Sequence, residues 1–169
     1  MRLLIAVLIA GCLPLGAGAQ LVEHEGPSDV IFIESGNAEM EAAIEEARAT
    51  LPHFWEHYSA TEDLSVEVHT LKVGFSTPEG DSEFIWVFPY DYDETAAEYE
   101  GILMNEPLNI AGDLHLGDAV WFAEDQIIDW SYDDGPARRG EYTTRVLIRG
   151  LSPEDAADFA GALHDNPVP

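Results

Sequence analysis

The chain opens on an unbroken apolar run, Leu3 to Ile9, behind a single charge at Arg2, and apolar or small residues continue to Leu15. Pro14 breaks the run, and Ala17-Gly18-Ala19 then offers the small-x-small pattern that a signal peptidase needs. This charge–apolar–small order predicts a secretory signal peptide over residues 1–19, cleaved before Gln20. The run is too short for the ~30 Å of hydrocarbon, which takes roughly 20 residues to cross. No later segment is long enough and free enough of charge either, so no transmembrane segment is expected. Ile9-Ala10-Gly11-Cys12 also fits a bacterial lipobox, which would put a lipid anchor on Cys12. Pro14 and the Ala-x-Ala site fit ordinary cleavage better. Both routes export the chain, one as a periplasmic or secreted protein and the other as an envelope lipoprotein.

Beyond the leader the periodicity changes several times. Residues 20–36 read as a polar, flexible lead, with a short strand at Val30 to Ile33. Asn37 is placed to cap a helix, its side-chain oxygen accepting from an orphan N–H, and Glu39 and Glu41 follow where the helix dipole favours negative charge. Met40, Ile44, Ala47 and Leu51 recur at helical spacing and mark one buried face. Pro52 is expected to kink or end this helix, although Trp55 and Tyr58 continue its stripe. The middle of the chain is β-like. Leu64, Val66 and Val68 alternate with polar residues, and Leu71, Val73 and Phe75 resume on the opposite parity, which implies a bulge or a change of face. Phe84 to Phe88 is apolar throughout, as in a central strand. Gly101 to Met104, Ala119 to Phe122 and Ile127 to Tyr132 are further strands, the last ending at Asp133-Asp134-Gly135-Pro136. Thr143 to Ile148 fits strand or helix. Ser152-Pro153-Glu154-Asp155 starts a final short helix. The pattern predicts one α+β domain over residues 37–169: an antiparallel sheet of about five strands, covered on one face by the Asn37 helix, with a short C-terminal helix.

Composition narrows the function. Cleavage after Ala19 leaves 150 of the 169 residues, enough for one core. It also removes Cys12, the only cysteine, which excludes disulfides, thiol catalysis and cysteine-based metal sites. The chain carries 33 acidic and seven basic side chains, and Lys72 is its one lysine. Phosphate backbones and anionic headgroups repel such a chain, so nucleic acid and polybasic membrane docking are excluded. A basic protein is the partner this charge would attract, in the manner of inhibitors and immunity proteins; plain solubility, as in a salty habitat, is the simpler account of the charge.

Several ordered motifs bear on the family. They are Glu39-Met40-Glu41-Ala42-Ala43-Ile44-Glu45-Glu46-Ala47-Arg48, Leu51-Pro52 with Phe54-Trp55, Leu71-Lys72-Val73 with Phe75, and Glu83 with Ile85-Trp86-Val87. Gly101-Ile102-Leu103 with Asn105-Glu106-Pro107, Gly117-Asp118, Asp129-Trp130 with Tyr132, and Gly140 through Tyr142-Thr143 to Arg145 complete the set. From Glu39 to Ile148 the chain resembles the bacterial YegJ-like domain of unknown function. The resemblance implies the α+β fold and an envelope or interaction role, and supplies no reaction. Where that family often has a histidine after the glutamate before Ile-Trp, this chain has Phe84, so no role for that histidine carries over.

The candidate chemistry is sparse. His53-Phe54-Trp55-Glu56-His57 fits H-x-x-E-H, an inverted zinc-protease motif. Pro52 disturbs it, no later helix offers a third ligand, and both histidines fall opposite the Leu51–Trp55 stripe, so a solvated face is the expected reading. Asp91-Tyr92-Asp93-Glu94 and Glu98-Tyr99-Glu100 cluster acids near a hairpin, but Ala96 and Ile102 stand where a calcium loop needs Gly and Glu. The leading expectation is a non-enzymatic binding or interaction module of the cell envelope, and the alternative is a metal-assisted or carboxylate-based hydrolase; no metal, cofactor or catalytic residue is assigned. There is no nucleophile motif, and of the many acids only Glu83, Glu106 and Asp129 sit in apolar or family-matching surroundings. Their expected role is a salt bridge or a loop clasp with Arg145 or Lys72. As a ligand pocket, Asn105, Glu106, Asp129 and Arg145 would gather near one end of the sheet, walled by Trp130 and Tyr142. Among the tryptophans, Trp86 and one of Trp121 and Trp130 are expected in the core.

Overall fold

The computed structural model describes residues 2–5, 21–23, 31–34, 37–61, 64 and 69–169. Its strands are β1 (Arg2–Ile5), β2 (Leu21–Glu23), β3 (Ile31–Glu34), β4 (His69–Ser76), β5 (Ser82–Asp93), β6 (Glu98–Leu103), β7 (Ala119–Ala123), β8 (Ile127–Asp134) and β9 (Ala137–Gly140). Its helices are α1 (Ala38–Ala60), α2 (Tyr142–Ile148) and α3 (Pro153–Ala160). The fold is α+β. Six antiparallel strands lie in the order β7-β6-β5-β4-β8-β9, one more than the roughly five expected. The extra one is β9, a four-residue return after Gly135-Pro136 whose Ala-Arg-Arg-Gly sequence has no strand pattern. β1 runs parallel to the first residues of β5 and antiparallel to β3, which β2 flanks. β1 comes from the segment read as a leader, and β2 and β3 from the lead that follows it.

Helix α1 begins as its sequence demands. Asn37 accepts hydrogen bonds from the Glu39 and Met40 amides at 3.0 and 3.2 Å. Met40, Ala43, Ala47, Leu51 and Phe54 form its buried face, with Ile44 half-buried beside them. Pro52 neither ends nor splits it. The helix continues to Ala60, because the apolar face runs on through Phe54, Trp55 and Tyr58, and the Tyr58 hydroxyl donates to the Pro89 carbonyl at 2.8 Å. Burial of that second half outweighs the hydrogen bond that proline removes. Among the described residues no helix is long and apolar enough to cross a membrane.

Strand alternation sorts the side chains onto two sides. Leu71, Val87, Leu103 and Trp130 leave the sheet towards α1, where the Trp130 indole donates to the Ala47 carbonyl at 3.0 Å. Lys72, Trp86 and Asp129 stand opposite one another in successive pairs and leave on the other side. The register shift between Lys72 and Val73 makes Ile128 the extra residue of a bulge. The alternation at Val66 and Val68 lies outside the described residues. Thr143 to Ile148 is helical.

Candidate functional site

Lys72 is the centre of a polar core within the sheet. It is fully buried, and its ammonium donates to the Thr143 hydroxyl at 2.9 Å and lies 4.6 Å from the centroid of the Trp86 ring. The Thr143 hydroxyl donates in turn to Asp129 Oδ2 at 2.6 Å. Asp129, also fully buried, accepts from the Thr143 amide at 2.8 Å and, through Oδ1, from the Trp130 and Tyr142 amides at 2.9 and 3.1 Å. Its carboxylate therefore holds the start of α2 against β8, with Thr143 bridging it to Lys72. Burial pushes the Asp129 pKa up to about 6, and Lys72 and the Thr143 bonds restrain the rise. Burial likewise pushes the Lys72 ammonium down, and Asp129 and Glu141 pull it back. Four donors and a nearby ammonium keep Asp129 ionised at neutral pH.

A second buried carboxylate adjoins the first. Glu141 accepts from Arg138 at 2.7 Å and from Ser131 at 3.1 Å through Oε1, and from the Thr144 hydroxyl through Oε2. Gly140 and Glu141 are both left-handed, at φ 75° and 58°. A Cβ at Gly140 would run into the Trp130 carbonyl, so only glycine fits there. At Glu141 the side-chain bonds offset the roughly 1–2 kcal/mol that a left-handed non-glycine residue costs. Sequence reasoning missed Glu141. The signal that marks it is an acid between a strand-ending glycine and a run of helix-capable residues.

The expected site residues divide into separate groups. Asn105, just past the end of β6, accepts from the Trp86 amide at 2.9 Å, and Trp86, Lys72 and Asp129 follow one row across the sheet. Arg145 turns back on its own turn, donating to the Gly140 carbonyl at 2.9 Å. Glu106 points away from this row. It is exposed, and it holds His115 at 2.8 Å and the Leu116 amide at 2.9 Å within its own loop. Glu83 is the buried loop clasp, accepting from the Leu108 and Asn109 amides at 2.7 Å each. Trp130 and Tyr142 meet edge-on at 5.8 Å, both buried. Trp86 is half-buried rather than a core residue, and Trp130 is the tryptophan sealed in the core.

The histidine motif also comes apart. His53 is exposed as expected, but His57 is half-buried, stacked on Tyr132 at 3.9 Å with Nδ1 2.9 Å from Nε2 of buried His69. The solvent-face reading fails for His57 because α1 continues past Pro52 and carries its last turns over β4 and β8. Among the described residues no three His, Cys, Asp or Glu side chains converge as metal ligands.

The outer side of β5, β6 and β7 differs in character. Residues 73–137 contain sixteen acidic side chains and neither Lys nor Arg. On this part of the sheet Tyr90 is 43 % and Trp121 is 47 % exposed, and Trp121 stands opposite Glu100. Tyr99 and Phe122, one residue along, pack inward, with Tyr99 stacked on Trp55 of α1.

A family model described as an uncharacterized protein conserved in bacteria (DUF2314) matches residues 37–164. The chain belongs to this family. The DUF2314 region runs from the cap of α1 past the end of α3, and so includes the Lys72–Asp129 row, the Glu83 clasp and the outer face of β5–β7. No curated protein and no solved structure matches the chain.

Proposed function

We propose that this DUF2314 protein, YegJ-like in its ordered motifs, is a non-enzymatic binding module of the bacterial envelope. It is exported by its leader and takes a basic protein partner on the outer side of β5–β7. The observation that carries the reading is the stretch 73–137, free of Lys and Arg, whose strands β5, β6 and β7 leave Trp121 and Tyr90 in solvent. Exposed aromatics among carboxylates suit cationic side chains, which gain ring-face contact and charge attraction together. The embedded acids point the same way: Glu83, Asp129 and Glu141 are all engaged with amides, hydroxyls or Arg138 in the interior, which is the work of a scaffold.

Binding of a short synthetic peptide of alternating Lys and Val, followed by fluorescence anisotropy, tests the reading. Trp121→Ala and the pair Glu98→Gln with Glu100→Gln should each weaken binding without changing Tm, and added salt should weaken it further. A poly-Glu peptide should not bind. Binding that ignores salt and all three substitutions would overturn the proposal.

A further inference from the structure

The two ends of the six-stranded sheet are finished differently. At the β9 end the C-terminal segment closes the edge: the Arg138 amide donates to the Ala162 carbonyl, the His164 amide to the Arg138 carbonyl, and the Gly140 amide to the Pro167 carbonyl, at 2.8 to 3.0 Å. At the other end, β7 pairs with β6 alone among the described residues. Gly117, left-handed at φ 93°, and Asp118 together face Leu103, with the Gly117 amide on the Leu103 carbonyl and the Leu103 amide on the Asp118 carbonyl. This bulge fixes the phase of the ladder that follows. Val120 and Phe122 direct their backbone groups to β6, and Ala119 and Trp121 direct theirs outward. The Ala123 amide, next in the outward series, is already taken by Gln126 Oε1 at 2.9 Å. An unpaired strand edge is a template for another strand, and proteins ordinarily blunt it with lysine, proline or a covering segment. β7 has no lysine or proline.

We infer that β7 is a docking edge, at which an extended basic segment of a partner protein adds as a further strand beside Ala119 and Trp121. The inference rests on the basic-partner reading above and gives it a binding mode. Charge selects the occupant. Asp118 precedes β7, Glu124 and Asp125 follow it, and Glu98 and Glu100 lie on the neighbouring strand. A second copy of the chain would bring the same acids to the same edge, whereas a segment with alternating basic side chains would meet them with opposite charge. Backbone hydrogen bonds would supply register and Trp121 the side-chain contact, as in strand addition generally.

Two peptides of equal charge separate this inference from the reading beneath it: the alternating Lys-Val peptide, and the same peptide N-methylated at every residue so that neither backbone edge can donate. With the full chain, the unmodified peptide should bind roughly tenfold tighter, the loss expected for one or two hydrogen bonds. It should also slow hydrogen exchange at the Ala119 and Trp121 amides. Ala119→Pro, which removes an outward donor, should abolish the difference between the peptides; the N-methylated peptide needs no altered protein, so the test survives if that variant misfolds. Equal binding of both peptides, with unchanged exchange at Ala119 and Trp121, overturns the docking edge and leaves the basic-partner reading standing. Failure of both peptides to bind overturns the two together. Protection of the same amides by self-association, without peptide, assigns the edge to a second copy and overturns the inference.

Discussion

His69 offers the most direct test of the packing between α1 and the sheet. Its ring is fully buried among Phe54, Tyr58 and Tyr132, and Nε2 shares one hydrogen bond with His57 Nδ1. Burial, and then the charge of His57, lower its pKa from 6.5 to about 4. The folded state therefore binds fewer protons than the unfolded chain between those values, so stability falls as pH drops below 6.5, and the loss is complete below about 4. At about 1.4 kcal/mol per pH unit the loss reaches roughly 3 kcal/mol, or about 6–12 °C in Tm for a chain of this size. Asp129 works in the opposite direction. Its pKa is raised to about 6, so in the folded state it takes up a proton that the unfolded chain binds only near its ordinary value of 3.8, and the fold gains as pH falls through that window. The two effects are of similar size and nearly cancel in the native protein. The comparison that isolates His69 is His69→Phe against the parent, by urea unfolding at neutral pH and near pH 4. At neutral pH the variant should be less stable by about 1 kcal/mol, the worth of the lost hydrogen bond. Near pH 4 the order should reverse, with the variant ahead by about 2 kcal/mol. A gap that does not move with pH, or a His69 NMR titration centred near 6.5, would refute the argument.

Asp129→Ala leaves Lys72 buried without its counter-charge and orphans four donors, and should cost about 3–5 kcal/mol in chemical denaturation; a loss under about 1 kcal/mol would mean that the pair is not sealed. Glu83→Gln should speed hydrogen exchange at Leu108 and Asn109 well beyond the global change, since it weakens both clasp bonds at once. His53→Ala, on the exposed side of α1, should leave stability within about 0.5 kcal/mol, as thermal unfolding would show. Protein recovered from its native host should begin at Gln20 by intact mass; an acyl adduct on Cys12 would establish the lipoprotein route, and an intact Met1 would refute export by cleavage.

Most of the secondary structure was legible because local rules agreed with tertiary demands. Asn37 caps, Phe84 to Phe88 is central, and Ser152 starts the last helix, where its hydroxyl accepts from the Asp155 amide. The failures have particular causes. Pro52 misled because propensity was weighed without the burial of Phe54 beyond it. β9 was invisible because two arginines and a glycine make a strand only through pairing with β8 and the C-terminal segment. For the site, the suspicion that Glu83 and Asp129 serve as clasps or charge partners could be formed from their apolar surroundings. Which amides they hold could not, since Asp129 reaches fourteen residues ahead to Thr143 and Glu83 twenty-five to Leu108. Glu106 looked equivalent to them in sequence and lies exposed, holding His115 and the Leu116 amide of its own loop.

The solitary lysine has a practical consequence for anyone handling this protein. Lys72 is the only lysine and is sealed between Thr143 and the Trp86 ring. While the sheet stays closed, amine-reactive dyes, crosslinkers and acylating reagents do not reach it. An adduct at Lys72 would require the network around Thr143 and Asp129 to open, so its rate of appearance under a reagent pulse would serve as a clock for breathing of the sheet's interior.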